Sequence, residues 1–304
     1  MRRFIRNARG VVVFAGLTIN TLFWFVPLFL LAIVKLIVPV NGVRRGITRL
    51  LMWFGENWVS VNRLVLAGSG SLRWRADGIG DLDRHGWYLV LANHQTWVDI
   101  VVLQSVFNRR IPFLKFFIKQ ELVWFPVLGI AWWALDMPFM KRYSPSFLAR
   151  HPQLKGRDLE ATRKACEKFR NTPTSVINFV EGTRFSEEKR RSRESPYRYL
   201  LKPRAGGIAV ALSSMGEMFD AVLDVTIVYP DGVPDFWGMC CGDDVRTKID
   251  VRTLPVGVEL ISGDYQNDRD YRRHVHRWIS KLWQEKDDRI GAMRGDSQLS
   301  GRVA

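Results

Sequence analysis

From Val11 to Val40 the chain reads VVVFAGLTINTLFWFVPLFLLAIVKLIVPV, 30 residues in which Lys35 is the one charge. A straight helix of about 30 residues is roughly 45 Å long, against a hydrocarbon core of about 30 Å. The run is too long for an upright span and far exceeds the apolar core of a signal peptide, and no small-residue cleavage site closes it. Thr18, Asn20 and Thr21 set a polar patch within it, and Pro27 removes a backbone donor. A kinked, tilted or re-entrant membrane element is expected. Arg2, Arg3, Arg6 and Arg9 precede the run, and Arg44, Arg45 and Arg49 follow it. Basic flanks favour the cytoplasmic side, so both ends are expected there. Ile47 to Leu66 mixes Leu, Trp and Phe with Arg49, Glu56 and Arg63 and reads as an amphipathic helix at the lipid interface.

The whole chain carries 45 Lys and Arg against 30 Asp and Glu, a net charge of +15. Such a balance calls for an acidic partner: nucleic acid, an anionic membrane or a phosphorylated substrate. Basic residues placed beside apolar segments favour the last two, and no nucleic-acid-binding motif is present. The cysteines, Cys166, Cys240 and Cys241, give neither a disulfide framework nor zinc spacing.

Gly68 to Ser71 marks a boundary. It divides an anchor over residues 1–69 from a domain over 70–260, followed by a C-terminal helix and tail over 261–304. Trp87 to Ala92, Thr174 to Val180 and Val222 to Tyr229 read as strands, and the alternating Arg246 to Arg252 as an edge strand. Asp158 to Asn171 has helical composition. Tyr271, Val275, Trp278, Ile279, Leu282 and Trp283 follow helical spacing, and Met293 to Ala304 reads as a polar tail. Strands separated by helices imply an α/β sheet. Phe113 to Met140 is rich in Phe, Trp, Leu and Ile. Core packing, acyl-chain binding and an interfacial position all remain open for it.

The chemistry concentrates in Asn93-His94-Gln95-Thr96-Trp97-Val98-Asp99, directly after a strand. Imidazole suits general base work near neutral pH, and a carboxylate can hold its other nitrogen. Residues five apart on one continuous helix lie about 140° apart. His94 and Asp99 meet if His94 sits in the loop and Asp99 in the first helical turn; on spacing alone a structural pair is the commoner case. Glu181-Gly182-Thr183-Arg184 follows another strand. Gly182 permits a tight turn, and Arg184 offers a planar fork suited to phosphate. From Arg184 to Arg204 there are eight basic and three acidic residues. This reads as a loop facing anionic headgroups, in which Lys202 and, better, Arg204 reach a substrate phosphate.

His94 and Asp99 fit the His-x-x-x-x-Asp motif of the glycerolipid acyltransferase superfamily, whose best-known members are lysophosphatidic acid acyltransferases. Other blocks follow in the family's order. Lys119-Gln120-Glu121-Leu122, with Pro126 and Gly129, resembles its basic-Glu-Leu segment. Phe139-Met140-Lys141-Arg142 stands in place of a Phe-Ile-Asp-Arg type of block, with Lys141 departing from the common acidic residue. Phe179-Val180-Glu181-Gly182-Thr183-Arg184 matches the third block without departure, and Val225-Thr226-Ile227-Val228-Tyr229-Pro230 resembles the fourth. Lys202-Pro203-Arg204-Ala205-Gly206-Gly207 resembles a Pro-Arg segment of the branch that includes lysocardiolipin acyltransferases. The resemblance runs from about Trp87 to Glu259.

The resemblance implies a mixed sheet flanked by helices, with an N-terminal membrane-embedded helical segment. It implies a membrane-bound enzyme that moves a fatty acyl group from acyl-CoA or acyl carrier protein to the free hydroxyl of a lysophospholipid. 1-Acylglycerol-3-phosphate, giving phosphatidic acid, is the first expectation; lysophosphatidylglycerol and lysocardiolipin are alternatives. His94 is then the general base and Asp99 orients it, while Arg184, Gly182, Thr183, Glu181, Arg142, Lys141, Arg204 and Lys202 form the phosphate-binding set. No metal, no cofactor and no covalent intermediate are expected, and no serine nucleophile elbow is present. Anionic lipids are expected partners and nucleic acid is not. The expected location is a bacterial cell inner membrane, with the catalytic domain facing the cytoplasm. Rival readings are a thioester or lipid hydrolase, a non-catalytic membrane protein on the same fold, and a basic nucleic-acid-binding protein.

Overall fold

The structure is a computed structural model and describes residues 1–140, 150, 169, 172–243, 245–265 and 267–300. Lys141, Arg142, Cys166 and most of the helix expected over Asp158 to Asn171 lie outside the described residues.

Six strands form one mixed sheet. They are β1 (Leu72–Asp77), β2 (Tyr88–Ala92), β3 (Leu114–Phe116), β6 (Ser175–Phe179), β7 (Ala221–Val228) and β8 (Val245–Leu254), in the order β1-β8-β7-β2-β6-β3. β4 (Ile118–Lys119) and β5 (Phe139–Met140) make a separate short pair. β7, β2, β6 and β3 run parallel, while β8 is antiparallel to β7 and parallel to β1. The expected edge strand is therefore an interior one. Its alternation reflects two differently covered faces, and the edge on that side is β1, LRWRAD, a strictly alternating run that the sequence reading passed over.

β2 and β7 are buried along their whole length, as expected of strands covered on both faces. Their residues divide with period two. Tyr88, Val90, Ala92, Leu223, Val225 and Ile227 join one core, and Leu89, Leu91, Val222 and Val228 the other. The first core is closed by α1 (Arg2–Ile37), α2 (Asn41–Gly68) and α3 (Val98–Phe107). Short helices α4 (Leu128–Ala134), α5 (Glu187–Ser192), α7 (Phe236–Cys241) and α8 (Val258–Ile261) fill the connections. The second core is closed by α6 (Ala205–Met215) and α9 (Arg269–Ser300). α9 continues to Ser300, into the segment expected to be a polar tail. Its inner face carries Val275, Ile279, Leu282 and the fully buried Trp283, whose indole N–H donates to Leu201 O at 3.0 Å.

α1 is one continuous helix of 36 residues that includes Pro27. The polar patch makes no turn. Thr18 and Thr21 donate to the carbonyls of Phe14 and Leu17, each at 2.8 Å. Asn20 reaches α2 instead, donating to Trp58 O at 3.0 Å and Asn62 Oδ1 at 2.9 Å, and the Trp58 indole donates to Thr21 Oγ1 at 3.0 Å. Each polar group that sequence offered as a turning point is thus satisfied along the helix or across the α1–α2 interface.

Both ends of α1 are tied to the sheet domain. Arg6 pairs with Asp243 at 2.6 Å, and the largely buried Lys35 pairs with Asp136 at 2.6 Å and donates to Ala134 O at 3.1 Å. Arg6 and Lys35 are roughly 44 Å apart along a helix, so α1 lies across the domain rather than projecting from it. Its other side leaves Val12, Ile19, Phe23, Leu30 and Leu36 uncovered by protein, and Trp124, Phe125 and Trp133 add exposed apolar surface near α4.

Candidate active site

β2 is the central strand, flanked in parallel by β7 and β6, so the chain leaves all three at the same edge of the sheet. The three exits carry Asn93-His94, Glu181 and Tyr229. Asn93 locks the first exit to β7: its side chain donates to Ile227 O at 2.9 Å and accepts from Ile227 N at 2.8 Å.

His94 sits in the loop, and Asp99 in the first turn of α3. His94 Nδ1 lies 2.8 Å from Asp99 Oδ2. The same oxygen accepts from the backbone N–H groups of Gln95 at 2.6 Å and Thr96 at 2.9 Å. Asp99 is fully buried, whereas the His94 side chain keeps 14% of its surface exposed. An imidazole with that access can meet a solute, and a carboxylate so enclosed can hold the ring. The imidazole stacks on Phe179 with centroids 3.9 Å apart and planes 14° apart.

Glu181 is fully buried beneath this loop. Its carboxyl accepts from His94 N at 3.0 Å and from Leu201 N at 2.8 Å, joining the His94 loop to the segment before α6. Burial pushes this carboxyl up to about 8, against the two backbone donors that stabilise its charge; the nearby Asp99 pushes the same way and Lys286 opposes it. Gly182 follows at φ 67°, the left-handed region where a side chain is strained, and any Cβ there would meet Arg204 Cδ at 2.9 Å. The backbone can turn tightly because position 182 carries no side chain, and Arg204 packs into the space.

Arg184 is exposed, with its guanidinium 5.2 Å from the centroid of the exposed Trp97 ring. Thr183 and the carbonyl of Arg184 receive Lys189 Nζ at 3.3 and 3.0 Å. Lys202 and Arg204 are exposed on the neighbouring segment. The structure therefore brings together His94, Asp99 and Glu181, sets Gly182, Thr183, Arg184 and Arg204 around them, and leaves Lys202 with no described contact to the group.

Sequence reading missed Tyr229. Its phenol O–H donates to Asp99 Oδ1 at 2.6 Å. The available signal was a hydroxyl at the end of a buried apolar strand, where such a group requires a partner.

The sequence profile described as Acyltransferase matches residues 74–230, more than half of the chain and the whole set of strand exits described above. The chain belongs to the Acyltransferase family. Human 1-acyl-sn-glycerol-3-phosphate acyltransferase delta is 26% identical over 213 residues, covering 66% of this chain and 51% of the human protein. The mouse epsilon form is 22% identical over 255 residues, covering 78% of this chain and 63% of the mouse protein. The chain spans about half the length of the delta relatives it matches. Among solved structures, the 1-acyl-sn-glycerophosphate (LPA) acyltransferase PlsC from Thermotoga maritima aligns over 93% of this chain and 98% of its own, with a TM-score of 0.54 and 18% identity. That likeness carries the fold: a mixed sheet flanked by helices.

Proposed function

We propose that this chain transfers a fatty acyl group from an acyl thioester, acyl-CoA or acyl carrier protein, to the free hydroxyl of a lysophospholipid. The first candidate acceptor is 1-acylglycerol-3-phosphate, which would give phosphatidic acid. The observation that carries this reading is the His94–Asp99 pair at 2.8 Å, set at the strand exits of an Acyltransferase-family domain. With Nδ1 committed to Asp99, Nε2 is the nitrogen left to take a proton. It accepts the acceptor's hydroxyl proton as that oxygen attacks the thioester carbonyl. The new C–O bond forms, the C–S bond breaks, and the departing thiolate takes the proton back from the imidazolium. Asp99 stabilises that imidazolium while it exists. Labelled acyl donors offered with a panel of lysophospholipids test the reading. A diacyl phospholipid product supports it; release of free fatty acid alone overturns it in favour of hydrolysis.

Arg184 is the proposed phosphate contact, since its planar fork matches phosphate oxygens and its ring contact with Trp97 leaves the guanidinium at the surface. Arg184→Ala is expected to lower kcat/KM for a phosphate-bearing acceptor by roughly 10- to 150-fold, the loss of one charge-assisted hydrogen bond. Arg184→Lys should restore part of it. Unchanged acceptor kinetics in both variants would reassign Arg184 to structure.

The proposed seat is a membrane surface, with α1 embedded along its length and both of its ends on the cytoplasmic side. The uncovered apolar face of α1 and the ion pairs at Arg6 and Lys35 support this. In a background with the native cysteines replaced by serine, Arg3→Cys and Gly42→Cys should both resist an impermeant thiol reagent in intact cells and both react after lysis. Reaction of the position 3 variant alone in intact cells would favour a single span.

A further inference from the structure

We infer that Tyr229 is a positioning residue of the transfer reaction, its phenol fixing the Asp99 carboxylate that in turn holds His94. This rests on the proposed role of His94 as base. Asp99 has two oxygens with divided duties. Oδ2 takes the imidazole Nδ1 and the backbone N–H groups of Gln95 and Thr96, all from the loop and helix that carry Asp99 itself. Oδ1 receives Tyr229 O–H at 2.6 Å, from the end of a different strand, and no other donor to it is found among the described residues. Both side chains are essentially removed from water, with Asp99 at 0% and Tyr229 at 2% exposure. The carboxylate plane is thereby held from both sides, one side by α3 and its loop, the other by β7.

The phenol is built to remain a donor. Burial, and then the Asp99 charge, push its ionisation well above the usual range. A neutral O–H on a buried carboxylate spreads the negative charge over both oxygens and tempers the pull on the imidazole proton. Without it the charge concentrates on Oδ2, the imidazolium becomes more stable, and His94 holds its proton to higher pH. The protonated form cannot act as base, so the acid limb of the rate profile should move upward.

The other charged groups facing this site are held by partners other than the phenol, among the described residues. Glu181 lies under the His94 backbone from the β6 exit, with Lys286 of α9 and its partner Asp224 of β7 behind it. Arg184 stands over Trp97 at the surface, and Asp231 pairs with Arg246 just beyond Tyr229.

The experiment is the pH profile of kcat/KM for purified full-length protein with a lysophospholipid and acyl-CoA. Tyr229→Phe should move the acid limb up by roughly half a unit to one unit, with kcat down roughly tenfold and both KM values near wild type. Site-specific 3-fluorotyrosine at position 229, a stronger donor of nearly the same shape, should move the limb down. The fluorinated protein carries the test if Tyr229→Phe does not fold. An acid limb that stays put in every folded variant overturns the inference. His94→Ala, run in parallel, separates the two claims. If it is inactive while the limb stays put, only the role of Tyr229 fails; if it remains active, the role of His94 fails and takes this inference with it.

Discussion

Replacing His94 with alanine should lower acyl transfer by about 10²–10⁴-fold, the usual contribution of a positioned general base. The fold should survive. The imidazole is partly exposed, its main neighbour is the Phe179 ring, and the loop itself is held by backbone bonds that alanine retains. Those are His94 N to Glu181 at 3.0 Å and Phe185 N to His94 O at 2.7 Å. Membrane association should be unchanged, because α1 and the exposed surface near α4 are untouched. Asp99→Asn should also lose most activity, for two separable reasons. An amide cannot stabilise the imidazolium, and its NH₂ group would confront donors at Oδ2, where His94, Gln95 and Thr96 converge, or the phenol at Oδ1. A larger loss of stability is therefore expected for Asp99→Asn than for His94→Ala. The two effects are read apart by thermal unfolding followed with tryptophan fluorescence and turnover at saturating substrates. A folded His94→Ala protein with near wild-type turnover would sink the mechanism.

The His94–Asp99 loop was legible in part from local causes, although spacing left the pairing open and the motif resemblance decided it. A continuous apolar strand ends, polar residues begin, and the helix that follows starts soon enough to bring Asp99 back to His94. The Glu181–Gly182–Thr183–Arg184 turn was legible for the same reason, although the work of Glu181 was not. Its carboxyl bonds to backbone groups 87 and 20 residues away, and no spacing rule announces such partners. Tyr229 hid in an apolar strand, where a hydroxyl reads as one more large side chain. Of the kinked, tilted and re-entrant courses open to α1, the continuous helix removes the turn, which had been read from Pro27 and the threonine patch as breakers. Helical i−4 bonds from the threonines and the contacts of Asn20 with α2 satisfy them in place. β8 was misplaced because pairing order depends on β1, whose alternating LRWRAD was not read as a strand. Lys286 escaped notice because a lysine in a helical pattern ordinarily marks the wet face, and here it points into the core.

That lysine sets the second large expectation. Asp224 is the one charged residue in the eight of β7, and the period of the strand turns it toward α9. Lys286 Nζ lies 2.7 Å from Asp224 Oδ1 and donates to Val225 O at 2.5 Å, with both side chains fully buried. Arg252 of β8 grips the other oxygen through two nitrogens at 3.0 and 2.7 Å. Removing one member of a buried pair strands the other's charge, at a cost of about 3–5 kcal/mol. Asp224→Ala should accordingly lower the unfolding temperature by roughly 6–20 °C. Lys286→Met should cost less, since Asp224 keeps Arg252, which is partly open to solvent. Combining the two substitutions should recover part of the loss, because no buried ammonium remains. The pH dependence has a definite sign. Burial already lowers the Lys286 ionisation below its ordinary 10.5 while Asp224 opposes the shift, so the Asp224→Ala protein holds that proton more weakly still. Its unfolded chain then binds more protons than its folded form between the lowered folded value and about 10.5, and stability rises with pH across that window. The gap between wild type and Asp224→Ala should therefore narrow from pH 6 towards pH 10. A gap that stays constant, with the double variant no better than Asp224→Ala, would mean that Asp224 serves the strand through packing rather than through its charge.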